Sequence, residues 1–132
     1  DKFFLVQVYT YLMEIALWSG ELEEAEQWLR QCLAYYTEKH RITLHDVEWF
    51  LIVARLATAQ QQYQRAATLF GLAEQMHGQF HYAIAGPIRF LADEALATVQ
   101  ATLEPIVFAD SFAMGQQMTL AQAFATILAL TV

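Results

Sequence analysis

The sequence predicts an all-α fold built from antiparallel helical hairpins. Apolar residues recur at the 3.6-residue period along most of the chain, and no segment shows the strict alternation of a half-buried strand bounded by turn residues. A turn pattern also repeats at an offset of 41 residues, because Gly20–Leu22 has its counterpart at Gln61–Tyr63. A small residue, Ala25 or Ala66, follows each turn and lets two helices approach closely. Repeated helical hairpins are typical of a solenoid.

Periodicity and capping signals together predict the helices in order. They are expected at residues 2–19, 21–40, 44–61, 64–77, 87–103, 105–115 and from 119 onward. Gly20 should end the first helix, as glycine commonly does at a helix C-terminus. Thr43 with an acidic residue three positions later, and Thr119 with Gln122, are capping signals for two helix starts. Pro87 and Pro105 suit the first turn of a helix.

The apolar residues of the first and third helices predict which of their faces are buried. On the first helix the 3.6 period predicts a buried stripe at Phe4, Leu5, Val8, Leu12, Ile15 and Ala16. The third helix is apolar around much of its circumference, so we expect it at the centre of the stack. Cys32, the single cysteine, is expected to be a small buried hydrophobic residue.

The repeat period is broken after the second hairpin, by the proline-led helices and the capped last helix. We therefore expect residues 1–80 to form two hairpins and residues 81–132 to form C-terminal capping helices of the same domain. Since the sequence begins with Asp1 instead of Met, we also expect a piece of a longer protein, with further repeats before Asp1.

Composition limits the classes of function. The net charge is −7, from 7 Lys and Arg against 14 Asp and Glu, and a phosphate-binding surface needs clustered basic residues. Direct binding of nucleic acid is therefore not expected. Hydrophobic residues make up 57% of the chain, yet no apolar run reaches the roughly 18 residues of a membrane span. The apolar excess instead predicts contact with other repeats or a second copy. A lone cysteine fits a reducing cytoplasm.

The chain offers few groups for chemistry. His77 and His81 have a spacing that can chelate a metal on a helix, but Gly78 separates them and no further ligand is near. Ser19 and Ser111 lie outside any G-x-S-x-G motif, and no glycine-rich phosphate-binding motif occurs. We expect no enzyme activity, no metal and no cofactor.

The two hairpins share a further pattern of small and large apolar residues. In the first these are Tyr9, Leu12, Ala16, Gly20, Leu22, Ala25 and Leu29; in the second, Phe50, Val53, Ala54, Ala57, Tyr63, Ala66, Phe70 and Ala73. This pattern resembles tetratricopeptide repeats. Gln61 replaces the turn glycine of that family, Met13 replaces a small residue, and the offset exceeds the family's repeat of about 34 residues. The resemblance implies a solenoid of hairpins.

A second resemblance covers residues 63–130. The segment Arg65–Glu74, with Phe112–Gly115 and Met118–Ala123 further on, resembles the C-terminal end of large bacterial signal-transducing NTPase regulators related to the maltose-regulon activator and to LuxR-type regulators. Gln122 stands where that pattern usually has Glu. The resemblance implies a multidomain cytoplasmic transcription regulator. Its nucleotide switch and DNA-binding domain would lie outside this segment, and the repeats would be its sensor or partner-binding arm.

The family positions also imply a site. They place eight residues on the concave side of the hairpins: Gln7, Thr10, Glu14, Trp18, Glu48, Leu51, Arg55 and Thr58. An aromatic ring, carboxylates and a guanidinium there could hold a peptide or a small polar ligand. The alternative is an ordinary mixed surface on which the aliphatic stem of Arg55 covers apolar neighbours.

Three hypotheses of function follow. The first is a non-catalytic protein-interaction or sensor module of such a regulator, whose partner is a protein or peptide or another domain of the same chain. The second is a homo-oligomerisation module without a ligand, which buries its apolar excess in a dimer. The third is a domain that binds a small-molecule effector.

Overall fold

The computed structural model describes residues 2–36, 43–81 and 83–130. Within those ranges the chain forms helices and no strand, which confirms the all-α class. The helices are α1 (Lys2–Trp18), α2 (Leu22–Tyr36), α3 (Leu44–Ala59), α4 (Tyr63–His77), α5 (Gly86–Thr102), α6 (Pro105–Gln116) and α7 (Leu120–Leu130). The predicted extension of the second helix to residue 40 lies outside the described residues.

Contacts group the helices into two compact units. Helices α1, α2 and α7 form the first unit, and α3, α4, α5 and α6 form the second. Each unit contains one of the two predicted hairpins. The helices after residue 81 are shared between the units, because α5 and α6 pack with the second hairpin whereas α7 contacts α2 of the first. The division into hairpins at 1–80 and a cap at 81–132, and the solenoid arrangement, stay predictions.

The turn between α1 and α2 is closed by two backbone hydrogen bonds. The Glu21 N–H donates to the Ala16 carbonyl at 2.8 Å, and the Gly20 N–H donates to the Leu17 carbonyl at 3.2 Å. This nested pair defines a Schellman motif, which needs a left-handed residue at its centre. Gly20 supplies it with φ of 78°. Glycine adopts this conformation without the steric cost of a Cβ atom.

The turn between α3 and α4 has the same structure at the predicted offset. The Gln62 N–H donates to the Ala57 carbonyl at 2.9 Å, and the Gln61 N–H donates to the Thr58 carbonyl at 3.0 Å. Gln61 takes the place of Gly20 and has φ of 63°. A residue with a Cβ atom pays about 1–2 kcal/mol for this conformation. The recurring sequence pattern thus forms the same turn twice. The conformational cost is higher at Gln61 than at Gly20.

Both predicted capping boxes are confirmed. At the start of α3 the Thr43 N–H donates to the Asp46 carboxylate at 2.7 Å, and the Asp46 N–H donates to the Thr43 hydroxyl at 3.4 Å. Before α7 the Thr119 N–H donates to the Gln122 side-chain oxygen at 2.9 Å, and the Gln122 N–H donates to the Thr119 hydroxyl at 3.1 Å. Each box satisfies two backbone donors that the helix itself cannot.

The buried face of α1 differs from the predicted stripe. Four residues of this helix are buried: Val6, Thr10, Met13 and Ala16. The prediction is right for Ala16 and wrong for Phe4, Leu5 and Ile15, which are exposed. The physical reason is that α1 is apolar on both sides, so the helical period fits two faces. The buried side accepts Thr10 because its hydroxyl donates to the Val6 carbonyl at 2.6 Å.

Helix α3 is the most buried element of its unit. Every residue from Trp49 to Ala57 is buried, including the charged Arg55. The helix packs against both α4 and α5. Its continuous apolar character thus corresponds to burial within this unit, and its place at the centre of a stack of hairpins stays a prediction. Cys32 of the other unit is also fully buried, as predicted.

Helices α4 and α6 touch through their backbones. A Cβ atom added at Gly71 of α4 would overlap the Phe112 carbonyl oxygen of α6. A Cβ atom at Gly115 of α6 would overlap the Thr68 carbonyl oxygen and lie 2.8 Å from the Leu72 nitrogen. Both glycines are buried. Glycine is required at the two positions because no side chain fits between the helices.

Substitution at this crossing should destabilise the fold. We expect Gly71→Ala and Gly115→Ala each to lower the free energy of unfolding by about 2–3 kcal/mol, because the added methyl group forces two backbones apart. The matched control is Gly86→Ala, whose Cβ atom would meet nothing within 4 Å. Urea denaturation measures all three variants, and a Gly115→Ala protein as stable as Gly86→Ala would show that the helices do not meet so closely.

Exchanging the left-handed residues of the two turns should change the stability of the fold in opposite directions. We expect Gln61→Gly to raise the free energy of unfolding by about 0.5–1 kcal/mol, since relief of the left-handed strain exceeds the entropy that glycine adds to the unfolded chain. Gly20→Gln at the equivalent position should lower it by a similar amount. Urea denaturation of both variants checks the pair. Destabilisation by Gln61→Gly would contradict the strained conformation.

Candidate interaction surface

The outer side of α1 is a surface of large apolar side chains. We call the outer stripe the row formed by Phe4, Val8, Tyr11, Ile15 and Trp18. Val8 is half-buried and the other four are exposed, with Trp18 exposing 76% and Ile15 62% of their surface. Phe3 and Leu5 beside the stripe are exposed as well. Among the described residues of the first unit, the large exposed apolar side chains thus lie together on one helix.

The spacing of the outer stripe is that of a coiled-coil seam. Successive members from Phe4 to Trp18 are four, three, four and three residues apart. This alternation keeps apolar residues on one side of a helix and is the heptad pattern that packs against another helix. Residues Val6 and Met13 face the opposite way and are buried. Helix α1 therefore has one apolar face inside its unit and a second one toward solvent.

Contacts with α2 fix which face of α1 points outward. The rings of Tyr9 and Trp28 stack with centroids 5.7 Å apart and planes inclined by 19°. The Thr10 hydroxyl lies 3.9 Å from the Cys32 sulfur, and Met13 is fully buried. Aromatic pairs of this geometry add about 0.5–1.5 kcal/mol beyond their buried area. Together these contacts hold α1 at one rotation about its axis, so the outer stripe stays exposed.

The electrostatic character of α1 differs from that of the chain. The whole chain carries a net charge of −7, whereas α1 contains one basic residue, Lys2, and one acidic residue, Glu14. Glu14 is half-buried. The helix is therefore balanced in charge. An acidic partner therefore meets no local excess of carboxylates on this helix.

The first half of the predicted groove lies on α1. Trp18 is a member of the outer stripe, while Gln7 and Glu14 are half-buried at other positions around the helix. Thr10 is buried, and its hydroxyl is already bonded to the Val6 carbonyl. Of these predicted residues, Trp18 offers the largest surface to a partner.

The second half of the predicted groove lies on α3. Glu48 and Thr58 are half-buried, and the Thr58 hydroxyl donates to the Ala54 carbonyl at 2.8 Å. Leu51 and Arg55 are buried. Since the two halves belong to different units, the assembly of all eight residues into one groove stays a prediction.

A cavity of about 280 Å³ lies within the second unit. Leu51, Phe70 and Ile84 give it a buried apolar lining. Four ionisable side chains also border it: Glu74, His77, Arg89 and Asp93. The Arg89 guanidinium and the Asp93 carboxylate form an ion pair at 3.7 Å along α5, in which both side chains remain largely accessible. Small-ligand sites combine an apolar lining with a few polar groups in this way, and 280 Å³ lies just below their usual size.

Two classes of site find no support in the geometry. Among the described residues no group of three or more His, Cys, Asp or Glu is arranged to hold a metal ion. His77 borders the cavity, and His81 is exposed beyond the end of α4. Within the same part of the chain, no helix combines the length and apolar character needed to cross a membrane.

Comparison of the chain with known protein families, with curated proteins and with solved structures found no match. The predicted buried stripe of α1 included Phe4, Val8 and Ile15, which belong instead to the outer stripe. The four–three spacing from Phe4 to Trp18, on the side of α1 opposite Val6 and Met13, was the signal for a second contact surface. The cavity has no comparable signal, because it forms only when Ile84 and α5 fold against α3 and α4.

Proposed function

We propose that this chain is a non-catalytic interaction module that binds a helical partner through the outer stripe of α1. The supporting observation is the row of exposed aromatic and aliphatic side chains on a helix whose other face is already packed. Monomeric soluble proteins rarely expose contiguous apolar patches of more than a few hundred Å², and larger patches mark interaction sites. Aromatic residues such as Tyr11 and Trp18 are also enriched at interfaces.

The stripe favours one kind of partner. A helix with apolar residues at the same four–three spacing would insert its side chains between those of α1, as in a coiled coil. Trp18 and Tyr11 would be the energetic anchors, because tryptophan and tyrosine are enriched among the residues that contribute most to binding when they are buried in an interface. A partner of this chemistry is an amphipathic helix from another protein, from another domain of the same chain or from a second copy.

The resemblance to bacterial regulators suggests the setting in which such a module works. In that setting the module passes a signal within a cytoplasmic transcription regulator and does not touch DNA itself. Support comes from the fact that two of the segments that carry the resemblance, Arg65–Glu74 and Phe112–Gly115, meet in the structure through Gly71 and Gly115 at the crossing of α4 and α6. Their pattern then has a packing reason, and it carries no information about the partner.

The cavity of the second unit favours a second candidate function, the binding of a small effector. Its apolar lining can hold the body of a metabolite, and the Arg89 guanidinium at its border can bind an anionic group. Exchange of the Asp93 carboxylate for a ligand carboxylate or phosphate would retain the charge balance of Arg89. This candidate involves different residues from the outer stripe, so the two functions can be tested separately.

Selection of helical peptides tests the first proposal without knowledge of the natural partner. We expect peptides selected from a displayed helix library to carry apolar residues at four–three spacing and to bind the wild-type chain. Ile15→Glu in the outer stripe should abolish their binding, because a carboxylate would be buried against apolar residues. The matched control is Ile106→Glu on α6, which replaces an isoleucine of similar exposure, 69%, and should leave binding unchanged.

Either of two outcomes would count against the outer stripe. Selected peptides that bind the Ile15→Glu protein as well as wild type would place the binding surface elsewhere. Failure to select any peptide that distinguishes the two variants would remove the support for helix recognition. Circular dichroism of both variants shows whether the fold is retained, which is expected because both side chains are exposed.

A thermal-shift panel tests the second candidate. We expect one metabolite with an anionic group, among sugars, nucleotides and amino acids, to raise the melting temperature of the wild-type chain. Arg89→Gln should remove that shift. Arg30→Gln is the control, since Arg30 forms a similar exposed ion pair, with Glu26 at 4.0 Å, outside the second unit. No shift across the panel, or a shift that Arg89→Gln leaves intact, would exclude the cavity as the site.

A further inference from the structure

The outer stripe of α1 points to a specific occupant. We propose that two copies of this chain pair through their outer stripes and form a two-fold symmetric dimer. The inference rests on the proposed function, because it assumes that α1 is a helix-binding surface and then identifies the helix that it binds. Three properties of the stripe favour a second copy: its pattern, its area and its charge.

The pattern of the stripe is self-complementary. A heptad seam presents apolar side chains that fit the spaces between the same residues of an identical helix. A two-fold dimer uses one patch twice, so a single stripe suffices to close the assembly and leaves no unsatisfied surface for further growth. Outside α1, the large exposed apolar residues of the described chain are Phe90, Ile106 and Met114, which lie on α5 and α6.

The exposed apolar area of α1 approaches the area that a stable dimer buries on each partner. The exposed fractions are 62% for Phe4, 65% for Tyr11 and 76% for Trp18. Because an aromatic side chain offers about 150–250 Å² of surface, these three residues leave about 400 Å² in contact with solvent. Phe3, Leu5 and Ile15 raise the sum to roughly 600–700 Å². A standard interface buries about 800 Å² on each partner, and polar residues at the edge of α1 can supply the remainder.

The charge on α1 allows identical acidic chains to meet there. Two copies, each with a net charge of −7, repel one another in general. Pairing through α1 brings together helices in which Lys2 and Glu14 balance, so the contact itself adds no excess of like charge. The repulsion that remains acts at long range, and salt screens it. Dimerisation through an apolar stripe should therefore tighten as salt increases, whereas an interface of ion pairs would weaken.

Sedimentation equilibrium of the full 132-residue chain tests the proposal. We expect the wild-type chain to be a dimer at micromolar concentration and to dissociate less readily as salt is raised. Ile15→Glu should weaken the dimer roughly a hundredfold, because it places two like charges opposite apolar residues in the interface. Trp18→Glu, at the exposed end of α1, should have the same effect and serves if Ile15→Glu does not fold. Ile106→Glu is the matched control and should remain dimeric.

The outcomes separate this inference from the function on which it rests. A wild-type chain that stays monomeric at the highest concentration overturns self-pairing, but leaves helix recognition intact if selected peptides still depend on Ile15. A dimer that persists in both Ile15→Glu and Trp18→Glu overturns the proposal as well, because the contact would then run through another face. A dimer that these two variants dissociate and Ile106→Glu does not would establish the stripe as the interface.

Discussion

Both hairpins depend on a single backbone constraint, a left-handed residue that closes the turn between two antiparallel helices. The nested hydrogen bonds around Gly20 and Gln61 satisfy carbonyl groups at the end of one helix and start the next helix immediately. Because the turn is so short, it leaves α1 no freedom to slide along α2, and the same holds for α3 and α4. The packing of side chains within each unit follows from this restriction.

The two units use different means to bring a third element onto the hairpin. In the second unit the crossing of α4 and α6 removes side chains altogether at Gly71 and Gly115, so the contact depends on backbone geometry. In the first unit α7 meets α2 through side chains, and the rings of Tyr36 and Phe124 stack with centroids 5.9 Å apart. A contact between two backbones tolerates almost no added side chain. A contact between rings tolerates more, because the side chains can change rotamer.

Local signals in the sequence predicted the helical class, the repeated turn and the capping boxes, because each depends on residues that are close in the chain. The choice of face on α1 depends on α2 and could not be predicted, since Phe4 and Ile15 fit the helical period as well as Val6 and Met13 do. Gly71 did not predict the close crossing of α4 and α6, because a glycine inside a helix indicates only a lower helix propensity. The cavity beside Arg89 forms where α5 packs against α3 and α4, and no local sequence pattern predicts this packing.

The positions of the three tryptophans have a spectroscopic consequence. Trp49 is fully buried in α3, Trp28 is half-buried and stacked on Tyr9, and Trp18 is largely exposed at the end of α1. Indole emission moves to longer wavelength as water gains access to the ring, so the native spectrum is a sum of three distinct environments. A partner that covered α1 would change the emission of Trp18 and leave that of Trp49 unchanged. The chain therefore carries its own optical label at the surface where a partner is expected.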